Sequence, residues 1–274
     1  MEYIHIISTR FNVPTQIWAT TRIGKKPLSE EWLKDRFEIF QQYCLPSFIN
    51  QSNRNFVWLV FFDKETPDKY LKIIADIQQK CVNFHPVFVQ DFEEMSQKLV
   101  QMIPDFYLPE TKFVISSDID NDDLLHQDFV ENVQKLFRPI HNLVIDLRRG
   151  LQLTRTSVST AFVNEFYTIA NPFVSIVENK SDVKTVIKEK HPTYRNYPDY
   201  VFYDEKPMFI QFIHANNLVN DSFQSKRISS INFKEFGIAE NYFFKISAWK
   251  TFWYNASRIP AIAKRIVISK FIKR

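Results

Sequence analysis

Glycine is scarce in this sequence, whose 274 residues include only Gly24, Gly150 and Gly237. A Walker phosphate loop and a GxGxxG dinucleotide fingerprint both need clustered glycines, because the backbone must turn tightly and approach the phosphates closely. Three dispersed glycines cannot form either motif. Any nucleotide bound here must therefore be held by a metal ion and side chains.

Cysteine and long apolar runs are lacking as well. Cys44 and Cys81 match no CxxC or zinc spacing and lie among apolar neighbours, so we expect two reduced core residues. The N-terminal MEYIHIISTRF does not show the basic and then apolar regions of a secretory signal. No run reaches the roughly 18 apolar residues that a transmembrane helix needs. We therefore expect a cytoplasmic protein.

The first half of the chain alternates between strand and helix patterns. Tyr3–Ser8 and Phe56–Phe62 are short apolar runs, and helical spacing of apolar residues follows Ser29 and Pro67. This alternation predicts an α/β fold with a mostly parallel, doubly wound sheet flanked by helices. The sequence shows no internal repeat, and we expect one main domain over residues 1–230 followed by a C-terminal extension over 231–274.

The most informative stretch is FVISSDIDNDDLLHQDFV, residues 113–130. A short apolar run is followed by Asp118, Asp120, Asp122 and Asp123, which indicates a buried strand ending at an acidic edge. These carboxylates repel one another, and a hard divalent cation would neutralise them, so the Asp-Asn-Asp triplet beginning at Asp120 is a candidate metal and diphosphate site. Alternatively, Asp122 or Asp123 caps the following helix. An EF-hand is excluded, because its sharp-turn glycine and final glutamate are missing.

A polar segment also follows the first predicted strand. Thr9 and Arg10 would lie at its carboxyl end, where open α/β sheets bind ligands. The alternative for Arg10 is an ordinary surface charge.

Several segments together resemble a known enzyme family. The turn SFINQSNRNF, the strand-ending WLVFFDKETP and the later DNDDLLHQDFV are similar to the inverting glycosyltransferases of the GT-A fold. With the opening TRFN and YCLPSFINQ, the chain resembles more closely the bacterial putative rhamnosyltransferase family over roughly residues 3–220. One departure is that this family usually has Thr-Arg at about the place where Ser116, Ser117 and Asp118 stand here.

This resemblance implies a Rossmann-like GT-A fold and roles for particular residues. Asp120 and Asp122 would bind Mn²⁺ or Mg²⁺ bridging the donor diphosphate, and His214 would complete the metal or phosphate shell. The alternative for His214 is a core or capping histidine at a strand end. The residues implied to contact the nucleotide-sugar donor are Thr9, Arg10, Asp63, Asp118 and Gly150.

The same resemblance implies an inverting transfer of a sugar, with rhamnose as a candidate, to a glycan or lipid-linked acceptor. A divalent ion would stabilise negative charge on the leaving diphosphate, and a carboxylate would deprotonate the acceptor hydroxyl. Glu178 is the first candidate for this general base and Asp182 the second, although each could be a solvated turn residue.

The C-terminal stretch lacks acidic residues altogether. From Trp249 onward there are seven Lys and Arg residues and no Asp or Glu. Pro260 suits a first helical turn, and an apolar stripe with basic flanks can then be shared by Ile262, Ile266, Ile268 and Phe271. This predicts a basic amphipathic helix that lies on the anionic inner face of the membrane. The alternatives are a helix packed against the main domain and a contact with nucleic acid; we expect no nucleic acid.

Two other classes of function are alternatives to a transferase. A haloacid-dehalogenase-like phosphatase would need Asp-x-Asp-x-Thr or Val very early in the chain, and Asp122 or Asp123 stands in the Thr or Val place here. The other is a non-catalytic basic and aromatic protein that binds glycan or membrane, which the C-terminal stretch favours. Binding that survives metal chelation would distinguish it from the transferase.

Overall fold

The computed structural model describes residues 2–15, 28–214 and 224–259. Two β-sheets organise these residues. Their strands are β1 (Tyr3–Arg10), β2 (Val57–Asp63), β3 (Phe84–Val89), β4 (Phe113–Asp118), β5 (Leu124–Leu125), β6 (Leu143–Leu147), β7 (Arg149–Arg155), β8 (Thr160–Tyr167), β9 (Ser175–Asn179), β10 (Tyr200–Tyr203), β11 (Phe209–Ile213), β12 (Arg227–Ile228) and β13 (Lys245–Ile246).

The central sheet has the strand order β10-β6-β9-β4-β1-β2-β3 within the described residues. β4, β1, β2 and β3 are parallel neighbours, and β10 is parallel to β6. β9 runs antiparallel to both β4 and β6. The predicted α/β class with a mostly parallel central sheet is therefore confirmed. The run Trp58–Phe62 in β2 is fully buried, as expected for a strand covered on both faces.

Helices connect these strands. They are α1 (Glu30–Ile39), α2 (Leu45–Ile49), α3 (Asp68–Lys80), α4 (Phe92–Met102), α5 (Phe129–Lys135) and a C-terminal helix, α6, over 248–259. Ser29 caps α1 as its side chain accepts from the Trp32 N–H at 3.3 Å, and Asp91 caps α4 in the same way. No helix in the described part of the chain combines the length and apolarity needed to cross a membrane.

Aromatic rings fill the space between the central sheet and α1. Phe11 contacts Phe37, Phe40 and Phe62, and Phe48 stacks on Trp58 with ring centroids 3.6 Å apart. These large rings bury much apolar surface per residue, which anchors α1 firmly on the sheet. The orientation of α1 matters for the site, because its buried face also carries Arg36.

The second sheet has the order β12-β8-β7-β11-β5, with β13 alongside β8. β5 follows directly after Asp123 and pairs antiparallel with β11, so the second sheet begins where the acidic stretch ends. β13 lies beyond the predicted domain boundary at residue 230 and pairs with Thr160 and Ala161 of β8. The predicted basic amphipathic helix begins at Pro260, and all of it lies outside the described residues.

Candidate functional site

The acidic stretch lies at the carboxyl edge of the central sheet, where β1 and β4 end side by side. Ser8 of β1 is paired with Asp118 of β4. The following loop is held against the exit of β1, because the Asn121 side-chain amide donates to the backbone carbonyls of Arg10 at 3.1 Å and Phe11 at 2.6 Å. Asn121 is thus a structural residue, and it fixes the two aspartates on either side of it.

Asp122 lies buried between one cation and one imidazole. Its Oδ2 accepts from Arg36 at 2.7 Å and from His214 Nε2 at 2.9 Å. Burial by itself would raise the pKa of Asp122, but the charge of Arg36 and the bond from His214 outweigh it and hold that pKa below its usual value. Asp122 is therefore an anion at neutral pH, located where α1, the acidic loop and the end of β11 meet.

Asp120 and Asp123 have different surroundings. Asp120 is accessible to solvent, although protein surrounds it on most sides. The partial desolvation raises the pKa of Asp120, and the negative charge of Asp122 raises it further. Asp123 is buried and accepts the backbone N–H of Phe212 at 2.8 Å, which joins the acidic loop to β11. Burial and the neighbouring carboxylates raise the pKa of Asp123 well above its usual range. Asp120 thus faces solvent, whereas Asp123 joins the acidic loop to the second sheet.

Asp118 and Arg10 lie on the β1 side of the same edge. The Ser8 hydroxyl donates to Asp118, and burial raises the pKa of Asp118 to about 6 in spite of that bond. The Arg10 charge lowers the pKa of both Asp118 and Asp120, and its guanidinium lies 5.6 Å from the Phe92 ring centre. Arg10 therefore supplies positive charge beside the aspartates, and its predicted contact with the donor stays a prediction.

Thr9 and Asp63 lie near this edge but use their side chains for the fold. Thr9 is buried and its hydroxyl accepts from the Trp58 indole N–H at 2.9 Å. Asp63 closes its own turn by accepting from the Glu65 N–H at 3.0 Å, and its backbone N–H donates to Asn12. Both residues shape the carboxyl edge, and their described contacts are with protein.

The structure does not bring Glu178, Asp182 or Gly150 to the acidic cluster. Glu178 is opposite Val114, near the amino end of β4, and its carboxylate accepts from the Thr185 N–H at 2.8 Å and Lys188 at 2.9 Å. Asp182 is exposed nearby. Gly150 lies in β7, where an added Cβ would come within 2.1 Å of the Phe209 ring. Packing explains Gly150, and the buried ion pair with Lys188 explains Glu178.

Arg36 is the functional candidate that sequence reasoning missed. It lies on the buried face of α1, with its guanidinium 5.0 Å from the Trp32 ring centre. The sequence does contain a signal for it, because Arg36 stands at helical spacing between Trp32 and Phe40 on an otherwise apolar face. Arginine is seldom fully buried without an anion, so this pattern indicates a buried ion pair.

The donor set fits a divalent ion only in part. Among the described residues, no three His, Cys, Asp or Glu side chains are grouped so that they could hold a metal. Asp122 Oδ2 and His214 Nε2 are joined by a hydrogen bond of 2.9 Å, so both atoms would bind a divalent ion only after the proton between them is displaced. They would then supply two coordination positions, and diphosphate oxygens and water would supply the others. The imidazole nitrogen suits Mn²⁺ better than Mg²⁺.

Comparisons with known proteins identify one family and several distant structural neighbours. A family model described as "Putative rhamnosyl transferase" matches residues 9–226. No curated protein sequence matches the chain. Solved structures with a distant likeness include S. aureus TarS 1-349 (TM-score 0.44, 11% identity, 77% of this chain and 60% of that one) and its UDP-GlcNAc complex (TM-score 0.44, 13% identity, 78% and 59%). Another is a putative nucleotide-diphospho-sugar transferase from Desulfovibrio desulfuricans G20 (TM-score 0.32, 8% identity, 78% and 83%). The chain spans about 60% of the TarS 1-349 structures it matches.

Proposed function

This chain belongs to the putative rhamnosyl transferase family, and we propose that it transfers a sugar, with rhamnose as the first candidate, from a nucleotide-sugar donor to a glycan or lipid-linked saccharide. We propose inversion at the transferred carbon and dependence on Mn²⁺ or Mg²⁺. The natural setting for such a reaction is the synthesis of a surface polysaccharide or lipopolysaccharide at the inner face of the membrane.

The observation that carries this proposal is the arrangement of charge around Asp122. An exposed carboxylate at Asp120, a buried one at Asp122 and the imidazole of His214 lie at the carboxyl edge, with Arg10 and Arg36 beside them. Aspartates alone would repel a diphosphate, whereas these cations reduce the negative charge that the donor meets.

The residues at this edge would have different roles in donor binding. A divalent ion bound at Asp122 and His214 would act as a Lewis acid toward the leaving diphosphate. Arg36 keeps Asp122 ionised and fixed in position, and Asp120 faces solvent with no hydrogen bond to its carboxylate among the described residues. Arg10 is placed to attract the phosphates, because its charge already acts on Asp118 and Asp120.

Calorimetry with nucleoside diphosphates, including UDP, tests the donor and metal site. We expect binding with Mn²⁺ present and at least about tenfold weaker binding after chelation, because the ion screens the carboxylates from the phosphates. Asp120→Asn should weaken metal-supported binding, and Asp182→Asn, at an exposed carboxylate outside the site, serves as the matched control. Equal binding in chelator would refute the metal site, and a sugar-nucleotide screen without any transfer or donor hydrolysis would refute the transferase.

A further inference from the structure

The C-terminal helix α6 is attached to the second sheet by one face. Asn255 accepts the Arg227 backbone N–H at 2.9 Å and donates to the Arg227 carbonyl at 2.8 Å. The Arg227 guanidinium lies 3.7 Å from the ring centres of both Phe162 and Tyr254. Arg258 donates to the carbonyl of Gln224. The side of α6 that carries residues 251, 254, 255 and 258 is thus held against β8 and β12.

The opposite side of α6 exposes large apolar side chains. The exposed fractions are 70% for Trp249, 60% for Phe252, 54% for Trp253 and 63% for Ile259. Their spacing places all four on one helical face, which we term the aromatic face. Trp253 contacts both Trp249 and Phe252, with ring centres 5.5 and 5.6 Å apart. Single exposed apolar residues are ordinary, but a contiguous group of this size marks an interaction surface.

Charge decides which partner suits this face. The sequence from Trp249 to the C-terminus carries seven Lys and Arg residues and no acidic residue. A second copy of the chain would bring a segment of the same positive sign against this one, which opposes self-association. An anionic bilayer offers the complementary charge, and tryptophan prefers the region between headgroups and acyl chains. Ile259, which cannot stack on bases as an aromatic ring does, favours lipid over nucleic acid.

We propose that the aromatic face of α6 docks on an anionic lipid bilayer. The contacts through Asn255 and Arg227 then fix the orientation of the second sheet relative to the membrane. Because β5 joins the acidic edge to this sheet, the orientation of that edge is fixed as well. This inference deepens the proposed function, because it names the surface that would bring the enzyme to lipid-linked acceptors. Vesicle binding needs neither donor nor turnover, so it can fail or succeed independently of the transfer reaction.

Co-sedimentation of the full-length chain with vesicles tests the proposal. We expect binding to mixed phosphatidylglycerol and phosphatidylcholine vesicles and at least about tenfold weaker partitioning into pure phosphatidylcholine. The variant Trp249→Ser/Phe252→Ser/Trp253→Ser should lose at least about tenfold in binding to the anionic vesicles while it keeps nucleoside diphosphate binding. The control Val82→Ser/Leu108→Ser removes exposed apolar side chains elsewhere (82% and 53% exposed) and should bind like the unaltered chain.

A second measurement needs no variant. Brominated lipids quench tryptophan only at short range. Trp32 and Trp58 are buried and Trp249 and Trp253 are exposed, while the fifth tryptophan, Trp18, lies outside the described residues, so the difference between the unaltered chain and Trp249→Phe/Trp253→Phe is the quantity that reports on α6. We expect strong quenching in the unaltered chain and unchanged vesicle binding in Trp249→Phe/Trp253→Phe, with most of the quenching gone. Unquenched fluorescence, undiminished binding by the triple serine variant, or no binding by the full-length chain would overturn the proposal. A dimer that light scattering detects in the unaltered chain but not in the triple serine variant would also overturn it, as would binding to RNA in preference to vesicles.

Discussion

Arg36 brings a positive charge into the packed face of α1, where it meets an equally buried carboxylate. Arg36 and Asp122 expose only 7% of each side chain, and their closest atoms are 2.7 Å apart. Two charges removed from water in this way are tolerated because each compensates the other. The pair therefore acts on stability and also sets the ionisation of the residue proposed to bind metal.

Removing one member of this pair should be costly. We expect Arg36→Met to lower the free energy of unfolding by about 3–5 kcal/mol, because it leaves Asp122 charged and buried without its cation. Arg36→Met/Asp122→Asn should recover part of that loss. Urea denaturation of both single variants and the double variant measures the coupling.

Lys135→Met is the matched control for Arg36→Met. Lys135 pairs with Glu131 at 3.2 Å on the exposed side of α5. Exposed pairs contribute little, so this variant should change stability by less than about 1 kcal/mol. If Arg36→Met and Lys135→Met lower the free energy of unfolding equally, the buried pair contributes no more to stability than the exposed pair.

The partner of a buried charge is difficult to predict from sequence. Asp122 could be singled out because four aspartates follow an apolar run, but Arg36 lies 86 positions before it, and its place on the apolar face of α1 does not reveal which anion it meets. Glu178 illustrates the converse error. A carboxylate after a strand resembled a catalytic base, whereas Lys188 and the backbone around Thr185 satisfy it inside the fold.

Among the elements, three adjacent strands of the central sheet are joined by polar side chains. His5 Nε2 of β1 and the Ser117 hydroxyl of β4 are 2.9 Å apart, and Ser117 is 2.6 Å from Ser175 of β9. All three residues are buried. Burial lowers the pKa of His5 to about 3. The strands therefore contain a histidine that stays neutral in the folded protein.

This histidine should make stability depend on pH. Near pH 5 the unfolded chain binds a proton at His5, whose ordinary pKa is about 6.5, while the folded chain does not. Stability is thus lost as pH falls below about 6.5 toward 3. Between pH 7 and pH 5, His5 should remove about 2 kcal/mol, a loss that His5→Gln would not show.

Urea denaturation of His5→Gln and the unaltered chain at pH 7 and pH 5 measures this difference. The comparison between the two proteins cancels the other titrating groups. If both lose the same stability between these pH values, His5 is not the neutral buried group that the structure indicates.

The local sequence pattern predicted where the strands and helices of the central sheet lie along the chain better than it predicted which strands pair with each other. The alternation of apolar strands and amphipathic helices indicated a mostly parallel sheet, since parallel strands need crossover helices. The antiparallel position of β9 between β4 and β6 depends on contacts far apart in sequence. The same is true of β5, a strand of two residues that pairs with β11 and is too short for any periodicity.

At the scale of the whole molecule, the second sheet links the acidic edge to the C-terminal helix. β5 and His214 connect this sheet to Asp122, and α6 is fastened to its other side through Arg227. Sequence pattern predicted basic character and apolar spacing for the tail. It could not show that α6 would be bound through Asn255 with its aromatic face turned outward, because that depends on the position of β12.

Two truncations should separate the aromatic face from the basic tail. Ending the chain after Ile259 keeps α6 and removes residues 260–274, with the five basic residues Lys264, Arg265, Lys270, Lys273 and Arg274. We expect weaker but measurable binding to anionic vesicles, with a smaller dependence on salt, because each basic residue near the surface contributes about 1 kcal/mol that salt screens. Ending it after Ala248 should abolish vesicle binding.

Co-sedimentation across a salt series measures both effects, and nucleoside diphosphate binding serves as the check on folding. The shorter truncated chain also loses Tyr254 and Asn255, which hold Arg227, so the chain ending at Ile259 is the cleaner comparison. If that chain binds vesicles with the same salt dependence as the full-length protein, the basic tail adds nothing to docking. If it does not bind even at low salt, the aromatic face cannot hold the membrane without the charges that follow it.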